Sequence, residues 1–160
     1  MKLLLTSTGF SNSSIAKALT ELARKSFDQL KLAFIPTAAN GEGGDKGWLI
    51  NDLVNCQKLG FASIDIVDIC GLPKNVLEER LSAVDALLFG GGHTYYLMHW
   101  MIQSGVKDML PELLKTRIYV GISAGSMITA KDFHPTHAKI IYSEEPDAQK
   151  DSQGLGFVPF

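Results

Sequence analysis

Five short apolar runs recur along the chain with an amphipathic stretch between each pair, and this alternation constrains the fold more than any other feature. The runs are residues 2–5 (KLLL), 32–35 (LAFI), 63–67 (SIDIV), 86–89 (ALLF) and 117–122 (RIYVGI). Helical periodicity fills the intervals. Ile15, Leu19 and Leu22 fall on one face, with residues 11–14 (SNSS) supplying N-cap candidates. Leu49, Leu53 and Cys56 form the apolar face of a helix after the glycine-rich loop NGEGGDKG. A short helix is expected over 75–81, another around 96–102, and a third over 106–114 that Pro111 opens or kinks. Strand and helix in such alternation predict an α/β fold: a three-layer α/β/α sandwich with an open, mostly parallel, flavodoxin-like sheet. Beyond Ala130 the pattern weakens to two strand candidates, 138–142 and 155–158, around a charged loop.

With 160 residues, the chain reads as one domain, long enough to bury about 70% of its unfolded surface. Lys and Arg total 15 against 17 Asp and Glu. That balance supplies no electrostatic footprint for nucleic acid or an anionic membrane. Lys2 and three leucines open the chain like a signal peptide, but Thr6, Ser7 and Thr8 cut the apolar run short. A cytoplasmic protein is expected, monomeric or homodimeric, with Cys56 and Cys70 as reduced core residues.

Ligands of open parallel sheets bind at the carboxyl ends of the strands. Two loops there can carry chemistry. Gly121-Ile122-Ser123-Ala124-Gly125 fits the G-x-S-x-G nucleophile elbow and stands where that turn must stand, after a strand and before a helix. Such a turn lifts the serine hydroxyl and frees the following N–H for an oxyanion. A plain turn of small residues is the competing reading. Gly90-Gly91-Gly92-His93-Thr94 follows the neighbouring run and can supply a second oxyanion donor or be a ligand-free tight turn. Neither phosphate-loop spacing is present.

Together, LFGGGHTYYL, YVGISAGSMI and the earlier FIPTAA resemble the peptidase E family of serine peptidases (family S51), which includes the cyanophycinases and has a class I glutamine amidotransferase-like fold. The resemblance runs over nearly the whole chain. It implies that Ser123 is the nucleophile and that the Gly91 and Ala124 amides form the oxyanion hole. Gly90, Gly92, His93 and Thr94 are the expected substrate contacts. It also implies hydrolysis of small peptides without metal or other cofactor, with aspartyl dipeptides as candidate substrates. An amidotransferase would carry a cysteine at the elbow, where this chain has Ser123.

The chain departs from the family at its end. The family's catalytic histidine follows a G-L-G strand in a Pro-His-aromatic setting, whereas here GLGFVPF ends at Phe160. The expectation is a domain over 1–160 lacking its C-terminal part. The alternative is an impaired family member that binds a small ligand or partner at the same cleft. His93 is the candidate substitute base. His134 and His137 lack a third metal ligand nearby and read as a solvated loop, and His99 reads as an ordinary helix residue. Asp132, Glu144, Glu145 and Asp147 are the acidic candidates, with the last three better read as a solvated cluster.

Overall fold

A computed structural model describes residues 1–133 and 153–159 of the chain. Its five strands are β1 (Lys2–Thr6), β2 (Lys31–Ile35), β3 (Ser63–Ile66), β4 (Ala86–Phe89) and β5 (Ile118–Ile122). They form one parallel sheet in the order β1-β5-β4-β2-β3. The helices are α1 (Ser13–Ala23), α2 (Thr37–Asn40), α3 (Gly47–Leu59), α4 (Lys74–Ser82), α5 (Thr94–Gln103), α6 (Val106–Leu113) and α7 (Ala124–Met127).

Strand side chains alternate between two cores, as a period of two requires. Leu32, Phe34, Ala86, Leu88, Val120 and Ile122 point to the side covered by Leu19 of α1 and Cys56 of α3. Ala33, Ile35, Leu87, Phe89 and Tyr119 point to the other side, covered by Leu77 of α4, Met98 of α5 and Leu110 of α6. β4 and β5 are buried along their whole length, which is why ALLF and IYVGI read as continuous apolar runs. Three layers follow from these two faces.

Local chemistry sets the element ends. The Asn12 side chain accepts the Ile15 N–H at 3.0 Å and caps α1. α3 stops at Gly60, which takes the left-handed conformation at φ 77°. β5 begins at Ile118, one residue later than the apolar run suggests, because the Arg117 N–H closes the preceding helix onto Leu113 O. Pro111 lies inside α6 and does not open it; the helix starts at Val106 after Gly105. α2 is a single turn within a stretch read as loop.

Two further expectations are corrected. Residues 155–158 form no strand. Their segment runs along the end of α7, where the Leu155 N–H donates to Ile128 O (2.7 Å) and the Phe157 N–H donates to Thr129 O (2.8 Å). Gly154 passes so close to Ala130 O that a Cβ would stand 2.1 Å away. Cys56 is a core residue, but Cys70 is only half-buried, with its Sγ 3.7 Å from Tyr96 Oη. The strand candidate at 138–142, with His134, His137, Glu144, Glu145 and Asp147, lies outside the described residues. No helix among the described residues is long and apolar enough to cross a membrane.

Candidate active site

The sheet order creates a crevice. The chains leaving β1 and β2 turn to helices on one face, α1 and α3. Those leaving β4 and β5 turn to the opposite face, so the loops part above the carboxyl edge. A cleft of about 380 Å³ opens there. Ser7 and Thr8 line it from the β1 loop, Trp48 and Asp52 from α3, Gly91 and Gly92 from the β4 loop, and Ser123 from the end of β5.

Ser123 has φ 48° and ψ −109°, a backbone that side-chain-bearing residues seldom adopt. Its N–H still donates to Thr6 O across the sheet edge (2.9 Å), while its carbonyl already accepts from Ser126 and Met127 in α7. The residue is thus both the last of the ladder and the cap of a helix. Flanking glycines make the turn possible: a Cβ on Gly125 would stand 2.0 Å from Phe89 O, and one on Gly121 would stand 2.7 Å from Ser126 N. Ser126 follows the elbow in α7, but its hydroxyl is committed to the Thr6 backbone. Among the described residues, no group bonds to Ser123 Oγ.

The glycine loop lies beside the elbow. A Cβ built on Gly91 would be 3.5 Å from Ser123 Cβ. The Gly90 N–H donates to Ile35 O (3.0 Å) and the His93 N–H to Ala38 O (2.9 Å). Between them, the Gly91 N–H has no acceptor among the described residues, and neither does the Ala124 N–H. Gly92, at φ 127°, presses on α2, where a Cβ would meet the Ala38 carbonyl at 2.4 Å.

Three expected substrate contacts are placed away from the cleft wall. Gly90 is buried, with its amide spent in the sheet. His93 caps α5: its Nδ1 accepts the Tyr96 N–H at 3.2 Å, and its ring meets that of Tyr95 edge-on at 6.2 Å. Thr94 is fully buried, with Oγ1 3.9 Å from Met127 Sδ. Asp132 is exposed and bridged to Gln153, and it too lies off the cleft.

Sequence reasoning missed Asp52. It projects from α3 with Trp48, Asn51 and Asn55, all on the cleft wall. This i, i+3, i+4, i+7 set was visible as a polar stripe opposite Leu49, Leu53 and Cys56. A Cβ on Gly9 would stand 3.5 Å from Asp52 Oδ1, so the carboxylate abuts the loop after β1. Burial pushes its pKa up to about 6. Burial, and then the Asp52 charge, push the Cys56 thiol up to about 12, which keeps it inert.

Comparison with known proteins gives the family and the fold. The chain spans only about a quarter to a third of the length of the curated relatives it matches. It is 31% identical to the peptidase E of Shewanella oneidensis over 61 residues, 38% of this chain and 26% of that protein. It is also 31% identical to the "Probable alpha-aspartyl dipeptidase" of Drosophila melanogaster over 86 residues, 52% of this chain and 33% of that one. The crystal structure of a peptidase E-type protein from Listeria monocytogenes superposes with a TM-score of 0.78 at 22% identity, covering 96% of this chain and 74% of the other. A peptidase from an acI-B1 actinobacterium gives 0.68 at 18%, covering 97% and 64%. These two likenesses establish the α/β fold. The sequence profile of Peptidase family S51 matches residues 3–160, and the chain belongs to that family of peptidases.

Proposed function

We propose that Ser123 is the nucleophile of a serine-type peptidase acting on short peptides. The observation that carries this reading is the strained Ser123 backbone, which sets an uncommitted hydroxyl in the cleft beside the unspent amides of Gly91 and Ala124. Ser123 Oγ adds to the carbonyl carbon of a peptide bond, and its proton passes to a base. The carbonyl oxygen takes the negative charge and lies between the two amides, each contributing about 3–4 kcal/mol to the transition state. The base then gives its proton to the leaving amine as the C–N bond breaks. Water attacks the resulting ester, returns a proton to Ser123 Oγ and releases the acid.

No histidine of the described residues lines the cleft, so this reading takes the base from outside them. The same observation keeps a second reading in play, in which the cleft binds a small ligand without turning it over. The name of the Drosophila relative makes aspartyl dipeptides one substrate group to try. Cytoplasmic action is proposed on the two free cysteines.

The test is hydrolysis of a panel of unblocked dipeptides by the full-length protein, read as release of free amino acids. Turnover that Ser123→Ala reduces by about 10³-fold or more supports the peptidase. Binding without turnover supports the second reading.

A further inference from the structure

The described residues that line the cleft carry charge of one sign: Asp52 faces it from α3 and Glu42 from the loop after α2, and the other described lining residues are neutral. Lys46, the cation nearest in sequence, is not one of the lining residues, and its ammonium is held by backbone at the rim beside Glu42 and Trp48. Its Nζ donates to the carbonyls of Glu42 (2.8 Å) and Gly43 (3.2 Å) and lies 5.7 Å from the Trp48 ring centroid. Among the described residues no hydrogen-bond donor or ion-pair partner satisfies the Asp52 carboxylate. The two other described carboxylates with shifted pKa values are both partnered: Asp65 pairs with Arg80 at Nε (2.9 Å), and Asp85 with Lys25 (2.8 Å). A half-buried carboxylate with no partner is costly to keep in a fold, and here it stands in the same cleft as Ser123.

We infer that Asp52, with Glu42 beyond it, receives a positively charged nitrogen of the substrate, and so selects peptides that carry a cation near the bond Ser123 attacks. This rests on the peptidase reading of Ser123 only for the word substrate; the cation site itself stands on the cleft's lining. A bound ammonium supplies the charge-assisted hydrogen bond that the protein does not. An aspartyl β-carboxylate, by contrast, must be held away from this wall, because like charges in so narrow a space repel. Two sources offer the same nitrogen: the free α-ammonium of a short peptide, and the side chain of lysine or arginine.

Binding to the Ser123→Ala protein at pH 7 separates the sources without needing turnover. Isothermal titration is run with Ala-Ala, N-acetyl-Ala-Ala and N-acetyl-Lys-Ala. A preference of about 10-fold or more for Ala-Ala over its acetylated form identifies the α-ammonium, and the same preference for the acetylated lysyl peptide identifies a side chain. Asp52→Asn, which keeps the shape and removes the charge, reduces that preference to less than about 3-fold and leaves N-acetyl-Ala-Ala binding nearly unchanged. Equal binding of all three peptides, binding of none, or a preference that survives Asp52→Asn overturns the inference. Fluorophosphonate labelling of Ser123 in the unsubstituted protein tells the two readings apart. Labelling without cation preference removes the Asp52 role and keeps the peptidase. Cation preference without labelling does the reverse.

Discussion

Ser126 and Thr6 exchange two hydrogen bonds across the head of the sheet. The Thr6 N–H donates to Ser126 Oγ at 3.0 Å, and Ser126 Oγ donates to Thr6 O at 2.8 Å. Thr6 also receives the Ser123 N–H, so β1 holds both Ser123 and Ser126. One hydroxyl therefore fixes the tilt of α7, and with it the direction in which Ser123 faces.

Ser126→Ala removes both bonds and leaves the Thr6 N–H without its partner. The expected loss is about 1–3 kcal/mol in urea unfolding, with a slower reaction of Ser123 towards electrophiles. Unchanged stability would show that water replaces the hydroxyl without cost.

Gly125→Ala is the harsher change. Its methyl would sit 2.0 Å from Phe89 O, and the carbonyl of this same residue accepts the Tyr119 hydroxyl at 2.6 Å in the core. Backbone must shift where β4 and the elbow touch, and a loss of about 3 kcal/mol or more is expected. Thermal unfolding measures it.

Asp52 makes the fold less stable as pH rises. Its carboxyl has a pKa of about 6 in the folded chain against an ordinary value of 3.8, so the folded state holds the proton more tightly over that interval. Stability contributed by this group is greatest below about pH 4, falls between about pH 4 and 6, and stays low above. Asp52→Asn is then expected to be more stable than the unsubstituted protein at pH 7, by about 1–2 kcal/mol after allowing for screening at a half-exposed site. The gap should vanish at about pH 4 in parallel urea titrations. Asp65 acts in the opposite sense: its hydrogen bond to Arg80 holds its pKa below the ordinary value, and its contribution fades in acid.

His93→Ala separates capping from catalysis. Losing the bond from the Tyr96 N–H should cost about 0.5–2 kcal/mol in thermal or urea unfolding. The reactivity of Ser123 should stay within about 2-fold, because His93 Nδ1 is engaged in capping α5 and the residue is not one of those lining the cleft. A large fall in reactivity with no change in stability would restore His93 as a base.

Much of this arrangement is legible in the residues themselves. Gly121 and Gly125, flanking Ser123, declare the elbow because a side chain at either would press against Phe89 O or the start of α7. ALLF and IYVGI declare buried central strands because both their faces are covered. Asp52 was hidden for the opposite reason. A polar stripe on a helix ordinarily faces water, and only the order of the strands turns this one towards Ser123. His93 and Thr94 follow Gly92 directly along the chain, and in the fold they open α5, one as its cap and the other buried. Residues 155–158 have the apolar pattern of a strand, but their N–H groups are taken by carbonyls at the end of α7.

Reaction of the protein with a fluorophosphonate, followed by mass spectrometric mapping of the modified peptide, tests the role of Ser123 most directly. The expected product is a single phosphonylated residue, Ser123, with the neighbouring Ser126 untouched and no adduct in Ser123→Ala. Modification elsewhere, or an adduct that persists in Ser123→Ala, would contradict it.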